Sequence, residues 1–309
     1  MVQPRLQVPV LVVGNLVVGG AGKTPTVIAL VQALQEAGRQ PGVISRGHGR
    51  RLGELRQVTA SDAAADVGDE PLLIHRRTHV PVWVGHDRTA AARALCARHP
   101  EVDVLIADDG LQHHALARQA ELVVFDERGA GNGLLLPAGP LREALPTQMP
   151  PRRRVLYTAG QASTPLPGSL ALRRIATAWP LSAWHANDEA RAVPLQQLLG
   201  RPLAAAAGIA FPEKFFGMLE AAGLSIQRRL SLPDHHRFDS LPWPADTTDV
   251  MVTEKDAVKL SPIRVGAVRV WVVPLDLLVP VALIAELTAS LFAEVPSPAP
   301  FRARPGAPP

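Results

Sequence analysis

Lysine is scarce in this sequence. The 32 basic residues include only four lysines, Lys23, Lys214, Lys255 and Lys259, so the other 28 are arginines. Because lysine is rare, a lysine inside a motif is a stronger functional candidate than an arginine. Cysteine is scarcer still: Cys96 is the only one among 309 residues. A single cysteine excludes a disulfide framework and a multi-cysteine zinc site.

Aromatic residues are also few, at 4% of the chain. The formal net charge of +4 permits an anionic partner such as a nucleotide, a phospholipid surface or nucleic acid. A nucleic-acid-binding protein is nevertheless disfavoured, because the chain has few aromatic side chains and no recognisable nucleic-acid module.

Long apolar runs are missing as well. The longest, at residues 8–18, is interrupted by Gly14 and Asn15, so the sequence predicts no membrane-spanning helix. The first residues lack the order of basic, apolar and small residues found in a secretory signal, and we expect a cytoplasmic protein. Residues 296–309 contain six prolines and no periodicity, which predicts a disordered tail.

Short apolar segments alternate with helical patterns along the chain. In the first half, strands are predicted at 9–14, 42–45, 80–85, 102–107, 121–125 and 154–158. Near-continuous apolar strands separated by helices predict a parallel sheet covered on both faces. We therefore predict an α/β fold, with a three-layer α/β/α domain at 1–165, a linker at 166–195 and a second, smaller α/β domain at 196–295.

The strand at 9–14 leads into a glycine-rich loop and a helix. The residues that this pattern assigns to nucleotide binding are Gly19, Gly20, Ala21, Gly22, Lys23, Thr24 and Pro25. Backbone N–H groups of such a loop surround phosphates, the lysine reaches the terminal phosphates, and the threonine hydroxyl can hold Mg²⁺. Val17 occupies the usual first glycine position, so this is a variant P-loop, and 1–165 is predicted to be a P-loop nucleotide-binding domain.

Two subclasses of P-loop protein have sequence motifs that can be compared with this chain. Guanine-specific proteins need an aspartate two places after a lysine, and none of the four lysines has one. Dimerising ATPases with a variant loop carry an extra lysine at the position of Val18. The sequence therefore favours ATP over GTP and disfavours the dimerising group.

Several polar motifs have two interpretations each. Asp108 and Asp109 follow the strand at 102–107 and are either a Walker B position facing the phosphates or a turn. On spacing alone, Asp69 is better explained as a helix N-cap, with Glu70 in the first turn. The histidine pair beginning at His235 is typical of a solvated turn, and no second His/Cys cluster has zinc-ligand spacing. The loop from Arg46 to Arg51 could bind phosphate or be solvated.

Taken together and in order, these segments resemble the tetraacyldisaccharide 4′-kinase family of lipid A biosynthesis. The matching segments are VGNLVVGGAGKTP, SRGHGRR, VGDEP, DDGLQH, GNGLLLPAGPLRE, AGIAFPEKFF, LPDHHRF and VTEKDAVKL, between residues 8 and 260. The resemblance implies transfer of the ATP γ-phosphate to the 4′-hydroxyl of an acylated glucosamine disaccharide 1-phosphate. The product would be lipid IVA, made at the cytoplasmic face of the inner membrane.

The same resemblance assigns roles to residues. It implies that Asp69 is the general base and His235 its partner, with the smaller domain closing over ATP. An aspartate is a weak base when free, and a nearby imidazolium can orient it and take up charge. The implied Mg²⁺-site residues are Thr24, Glu70, Asp108, Asp109 and Glu143. The implied substrate contacts are Arg46, Arg50, Gln112 and His113.

Family members usually have a few dozen residues, including an apolar and basic helix, before the P-loop strand, which here begins by residue 9. Either this chain starts late or it reaches the membrane through another surface, and we expect peripheral association with the inner membrane. The alternative function is a regulatory or metal-delivering P-loop NTPase acting on a protein partner. That alternative predicts a guanine motif or the extra loop lysine, and the sequence has neither.

Overall fold

The computed structural model describes residues 6–293. The strands of its first half are β1 (Val10–Gly14), β2 (Pro41–Ser45), β3 (Arg56–Gln57), β4 (Val82–Val84), β5 (Val104–Asp108), β6 (Ala120–Phe125), β7 (Arg153–Tyr157) and β8 (Ser169–Leu170). The helices of this half are α1 (Lys23–Glu36), α2 (Ala64–Val67), α3 (Asp69–Thr78) and α4 (Arg88–Arg98).

The second half continues the α/β pattern. Its strands are β9 (Leu172–Arg174), β10 (Thr177–Pro180), β11 (Val193–Pro194), β12 (Leu203–Ala207), β13 (Ile226–Ser231), β14 (Asp249–Thr253), β15 (Arg269–Val273) and β16 (Asp276–Leu278). Its helices are α5 (Leu181–Ala186), α6 (Pro212–Ala221), α7 (Glu254–Ala257) and α8 (Val281–Phe292).

Eight strands form the larger sheet, in the order β3-β4-β2-β5-β1-β6-β7-β8. All its pairings are parallel except that of β3 with β4. The strands β1, β2, β5 and β6 are fully buried, which explains why they are continuous apolar runs. The register pairs Val13 with Asp108, so β1 and β5 end side by side, and the loops that follow them meet at one edge.

Helices cover both faces of the larger sheet. On one face, Val27 and Val31 of α1 and Leu72 of α3 pack against the strands. On the other face, Ala92 and Leu95 of α4 pack in a separate apolar cluster. The predicted three-layer α/β/α arrangement with a mostly parallel sheet is confirmed.

Six strands form the smaller sheet, in the order β11-β10-β15-β14-β12-β13. The strands β12, β13, β14 and β15 are parallel, and β10 and β11 add antiparallel pairings at one edge. The apolar strand β12, with sequence LAAAA, lies between β14 and β13 and is buried along its whole length. Phe216 and Leu219 of α6 pack on one face of this sheet.

The chain returns to the larger sheet at its end. Helix α8 lies against β1 and β6, with Leu287 and Leu291 facing Leu11 and Leu34. The sequence grouped this helix with the smaller domain and treated 166–195 as a linker, although β10 and β11 within that segment join the smaller sheet. The boundaries 1–165 and 196–295 stay a prediction, and the predicted tail at 296–309 lies outside the described residues. Among residues 6–293, no helix is long and apolar enough to span a bilayer.

Candidate active site

The glycine-rich loop connects β1 to α1 at the carboxyl edge of the larger sheet. Gly19 and Gly22 have φ values of 90° and 86°, a left-handed backbone that glycine adopts without strain. Gly22 immediately precedes α1, so the loop ends where the helix dipole is positive. The Lys23 ammonium donates a hydrogen bond to Asn15 Oδ1 at 3.2 Å, and Asn15 Nδ2 donates to the Gly19 carbonyl at 3.1 Å. The loop is therefore ordered as a cradle for phosphate groups.

Two side chains that follow the strands β6 and β7 bind the backbone of this loop. Arg128 donates to the carbonyl oxygens of Val18 and Gly20 at 3.3 and 3.0 Å. The Thr158 hydroxyl donates to the Ala21 carbonyl at 3.1 Å. These bonds occupy carbonyl oxygens that would otherwise repel a phosphate group.

Three carboxylates gather beside Lys23. Asp108 ends β5, Asp109 follows it, and Glu70 lies in the first turn of α3. Burial raises the pKa of the Asp108 carboxyl to about 7, with further contributions from the charges of Glu70 and Asp109. Asp109 Oδ1 lies 3.6 Å from Lys23 Nζ.

The unpaired oxygens of this group fit a magnesium ion. Asp108 Oδ1 and Asp109 Oδ1 are buried and have no hydrogen-bond partner, and the ion pair of Asp109 with Lys23 is longer than a hydrogen bond. Within residues 6–293, no three His, Cys, Asp or Glu side chains converge as a complete metal cage. Mg²⁺ commonly takes one or two carboxylates and completes its shell with water and phosphate oxygens, so this donor set suits Mg²⁺ bound together with a nucleotide.

Asp69 and His235 form a close pair across the two sheets. Asp69 is the first residue of α3, and His235 lies in the loop after β13. The imidazole Nδ1 is 2.9 Å from Asp69 Oδ2 and 3.1 Å from Oδ1. Asp69 Oδ1 also accepts a hydrogen bond from the Glu70 backbone N–H at 2.9 Å. Asp69 is therefore the first helical residue, and Gly68 occupies the N-cap position that the sequence suggested for Asp69. The carboxylate instead contacts the histidine.

The pKa values of Asp69 and His235 shift in opposite directions. Burial alone would raise the pKa of the Asp69 carboxyl, but the His235 hydrogen bond and the charges of Lys255 and Lys259 hold it below its ordinary value. The hydrogen bond to Asp69 raises the pKa of His235 against the opposing effects of burial and Lys255. Asp69 is thus ionised at neutral pH, as a proton acceptor must be.

Two lysines that sequence reasoning left without a role lie at this pair. Lys255 Nζ lies 3.1 Å from Glu70 Oε1 and 3.5 Å from His235 Nε2. Burial alone would lower the pKa of Lys255, but the charges of Glu70, Asp69 and Asp234 raise it. The side chain therefore stays cationic. Lys259 Nζ lies 3.8 Å from Asp69 Oδ2 and bonds Asp256 Oδ1 at 3.1 Å.

The scarcity of lysine was the signal that could have found them. Lys23, Lys255 and Lys259 all contact the acids of the site. Lys214 binds Asp126 at 2.7 Å, and Asp126 also pairs with Arg128, which holds the P-loop carbonyls. All four lysines therefore lie at the P-loop and the acids beside it, or contact a residue that binds the P-loop.

The other predicted metal residues are spread around these acids. Thr24 is buried at the start of α1. Glu143 accepts a hydrogen bond from Gln112 Nε2 at 2.8 Å, and Arg142 lies between Gln112 and Asp109. Glu143 is therefore linked to the acid group through Gln112 and Arg142.

The predicted substrate arginines differ in their surroundings. Arg50 donates to the carbonyls of Gly53 and Glu54, so two of its nitrogens are used within its own loop, whereas Arg46 is exposed. Burial lowers the pKa of Arg88. The charges of Arg46 and Arg50 lower it further, whereas the charges of Asp108 and Asp109 oppose this effect. Burial and the charge of Arg88 likewise lower the pKa of His113. A cationic group thus lies beside the acids, and Arg88 is a member that the sequence did not indicate.

A family model described as tetraacyldisaccharide-1-P 4′-kinase (LpxK) matches residues 1–291. The chain belongs to this family. A tetraacyldisaccharide 4′-kinase of Leptothrix cholodnii is 57% identical over 296 residues, covering 94% of this chain and 85% of the relative. Another from Methylibium petroleiphilum is 54% identical over 292 residues, covering 93% of this chain and 81% of the relative.

A solved LpxK structure has the same architecture. It is the Aquifex aeolicus enzyme in complex with ATP, with a TM-score of 0.76 and 25% sequence identity, over 94% of this chain and 90% of that chain. These relationships confirm the family, the fold class and the kinase activity predicted from the sequence. They do not favour the alternative of a regulatory or metal-delivering NTPase. The roles of individual site residues stay predictions.

Proposed function

We propose that this chain transfers the γ-phosphate of ATP to the 4′-hydroxyl of a tetraacylated glucosamine disaccharide 1-phosphate, which yields lipid IVA for lipid A biosynthesis. The observation that carries the proposal is the hydrogen bond of 2.9 Å between Asp69 and His235 beside the P-loop acids. A P-loop alone is compatible with many NTPases, whereas a buried base in such a pair is what an acceptor hydroxyl requires.

The proposed reaction forms one bond and breaks one bond. The acceptor oxygen attacks the γ-phosphorus, the bond from that phosphorus to the β,γ-bridging oxygen breaks, and ADP leaves. The acceptor hydroxyl proton passes to a carboxylate oxygen of Asp69. His235 orients that carboxylate through Nδ1 and favours its ionised form before the transfer.

Lys23 and the loop N–H groups would hold the β- and γ-phosphates. Lys255 supports the site by binding Glu70 and by remaining cationic. Thr24, Asp108, Asp109 and Glu70 are the residues that would hold Mg²⁺, directly or through water, with Glu143 a further candidate. When bound, Mg²⁺ would neutralise charge that develops on the transferring phosphoryl group.

The acceptor is a lipid, so the reaction requires access to a membrane. We place the enzyme peripherally at the cytoplasmic face of the inner membrane. Arg46, Arg50, Gln112 and His113 are the proposed contacts to the polar part of the acceptor, because guanidinium groups are well suited to phosphate. Arg88 would reinforce this cationic group from within the fold.

The decisive test is transfer of label from [γ-³²P]ATP to the acylated disaccharide 1-phosphate, with the product separated by thin-layer chromatography. We expect label in the lipid and none when Mg²⁺ is chelated. Hydrolysis of ATP by a folded preparation without label in the lipid would contradict the proposal and support a plain NTPase.

A further inference from the structure

Lys214 joins the smaller sheet to the segment that follows β6. It lies on α6, and its ammonium is 2.7 Å from Asp126 Oδ2 and 2.7 Å from Glu127 Oε1. Both partners come directly after β6, which lies beside β1 in the larger sheet. Because β1 leads into the P-loop, this ion pair connects the smaller sheet to the neighbourhood of the nucleotide site. The proposed reaction gives Lys214 no role.

Asp126 divides its carboxylate between two cations. Its side chain is fully buried. Besides Lys214, it binds Arg128, whose Nε donates to Oδ1 at 3.0 Å and to Oδ2 at 2.9 Å. Burial alone would raise the pKa of the Asp126 carboxyl, but the hydrogen bonds from Lys214 and Arg128 lower it. One buried, ionised carboxylate therefore holds both cations in place.

Arg128 extends this arrangement to the P-loop. Its Nη1 and Nη2 donate to the carbonyl oxygens of Val18 and Gly20 at 3.3 and 3.0 Å, while its Nε binds Asp126. The guanidinium lies so close to the loop that a Cβ on Gly19 would be 3.2 Å from Nη1. Because a guanidinium is planar and rigid, the bond at Nε also sets the direction of the two bonds to the loop.

The residues just before α6 lie on the same side of the P-loop. The Phe211 ring centre is 4.2 Å from Arg128 Cζ and 4.6 Å from Lys214 Nζ, distances at which an aromatic face attracts a cation. A Cβ on Gly20 would lie 3.4 Å from the Ala210 methyl carbon. The smaller sheet thus contacts the P-loop directly and also through Lys214, Asp126 and Arg128.

We infer that Lys214 is a positioning residue for nucleotide binding, which fixes the P-loop from the smaller sheet through Asp126 and Arg128. The inference rests on the part of the proposed function that assigns ATP to the P-loop. Without Lys214, the buried carboxylate of Asp126 would have Arg128 as its remaining cation. An undercompensated buried charge is costly, so Arg128 would pair with Asp126 more fully and leave the loop. The loop carbonyl oxygens would then lose their donors and repel phosphate.

Two simpler roles for Lys214 explain less of the geometry. A direct contact with a phosphate group is disfavoured, because two carboxylates already neutralise the ammonium. A purely stabilising ion pair does not explain why the same carboxylate also holds the arginine that binds the P-loop. The stabilising role predicts a less stable protein with unchanged affinity for nucleotide, so measured affinity distinguishes it from a positioning role.

The test is a double-mutant cycle on nucleotide affinity. Lys214→Met is made in the wild-type enzyme and in an Arg128→Gln background. Isothermal titration calorimetry then gives the Kd for the magnesium complex of AMP-PNP, a non-hydrolysable ATP analogue, without acceptor. Lys214→Arg tests rescue, because a guanidinium can pair with both carboxylates. Arg229→Met is the matched control, since Arg229 pairs with Glu213, the neighbour of Lys214, within the smaller sheet.

We expect Lys214→Met to weaken nucleotide binding by about tenfold, because charged hydrogen bonds to the loop are disturbed. In the Arg128→Gln background the same substitution should have no further effect, since the residue through which Lys214 acts is already removed. Lys214→Arg should stay within about threefold of wild type, and Arg229→Met should match wild type. In steady-state kinetics, Lys214→Met should raise the KM for ATP more than it lowers kcat.

The Lys214 side chain is 26% exposed, so methionine should be tolerated there, and the melting temperature of each variant checks the fold. If Lys214→Met does not fold, Lys214→Gln takes its place in both backgrounds. An unchanged Kd in the folded variant would overturn the inference and leave Lys214 as a stabilising ion pair. Equal weakening in both backgrounds would also overturn it, because Lys214 would then act without Arg128.

The inference and the proposed function fail in different ways. If the wild-type enzyme binds no AMP-PNP, the assignment of ATP to the P-loop is wrong, and the proposed function fails with it. If the wild-type enzyme binds the nucleotide and phosphorylates the acceptor, and Lys214→Met binds the nucleotide equally well, the proposed function stands and the positioning role of Lys214 is wrong.

Discussion

Asp69 makes two kinds of contact with one carboxylate. It begins α3 and binds the Glu70 N–H, and it also pairs with His235 from the opposite sheet. A residue that only capped the helix would be as well served by asparagine. A base would not, because an amide cannot accept the hydroxyl proton.

The Asp69→Asn variant therefore separates these functions. We expect kcat to fall by about 10²- to 10⁴-fold, while the KM for ATP changes little, since the P-loop is untouched. Steady-state kinetics with the acylated acceptor measures both constants. Asp66→Asn is the matched control, because Asp66 lies three residues earlier and pairs with Arg51 at the surface. A rise in the KM for ATP without loss of kcat would make Asp69 a binding residue.

His235 makes the stability of the protein depend on pH. Its pKa is raised in the folded state, so its contribution is full below its ordinary value of about 6.5 and is lost as the pH rises through the raised value. The pKa of Asp69 is lowered, so its contribution is present above its ordinary value of about 3.9 and is lost as the pH falls through the lowered value.

We therefore expect wild type to exceed His235→Gln in melting temperature most clearly between about pH 4 and pH 6.5, with the difference shrinking at higher pH. Melting curves by circular dichroism across this range provide the measurement. His86→Gln is the control, because His86 is exposed and its substitution should change the melting temperature little. A difference independent of pH would mean that His235 stabilises the fold by packing alone.

Local motifs could be predicted from the amino-acid sequence, whereas contacts between segments far apart in the sequence could not. Lys23 is recognisable because the residues that define its role lie within a few positions of it. Lys255 contacts Glu70 across 185 residues, and nothing near either residue in the sequence specifies that contact. Only the resemblance to a family suggested the pairing of Asp69 with His235. The rarity of lysine was a signal of composition, which identified candidates without giving their partners.

Two glycine turns determine where α3 begins. Gly47, in the loop after β2, has φ 67°, and Gly68, before α3, has φ 97°. A Cβ on Gly47 would lie 2.6 Å from the Val67 carbonyl oxygen, and one on Gly68 would lie 3.0 Å from Gly47 Cα. The two loops are therefore in backbone contact, and this contact sets the position of Asp69.

Gly47→Ala should disturb that contact, whereas Gly49→Ala should not. Gly49 has a similar φ of 73°, but an added Cβ there would meet no atom within 4 Å, so its substitution adds only backbone strain of about 1 kcal/mol. We expect Gly47→Ala to cost about 1–3 kcal/mol more and to lower kcat as Asp69 moves. Urea denaturation and kinetics measure the two effects. Equal losses in both variants would show that strain, and not the contact, matters.

The strands and helices were predicted well where burial is continuous. The apolar runs at 42–45 and 121–125 became β2 and β6. The short strands β3, β8, β9 and β11 carry no such run and were not predicted. Helix α8 packs against the larger sheet through contacts with β1, and no local sequence pattern predicts those contacts.

Arg77 forms ion pairs between segments that are far apart in the sequence. Its guanidinium, on α3, donates to Glu254 at 2.7 Å and to Asp276 at 2.9 Å. Glu254 is only 5% exposed and also accepts from Trp184 Nε1. Burial alone would lower the pKa of Arg77, but Glu254 and Asp276 raise it. The pairing connects α3 to α7, which follows β14, and to β16.

Arg77→Met should destabilise the protein by about 3 kcal/mol, because it leaves a buried carboxylate without its charged partner. Chemical denaturation measures the loss. Arg228→Met is the control, since Arg228 pairs with Asp246 on the exposed surface and should cost less than about 1 kcal/mol. Similar losses in the two variants would mean that the Arg77 pairing contributes no more than a surface ion pair.

The return of α8 to the larger sheet has a consequence for synthesis on the ribosome. The surface that α8 covers includes Leu11 and Leu34, which are synthesised roughly 250 residues before Leu287 and Leu291. Domains generally begin to fold from the N-terminus during synthesis. Here the apolar face of β1 and α1 stays uncovered while about 250 further residues are added. We therefore expect the nascent chain to be prone to aggregation until α8 emerges.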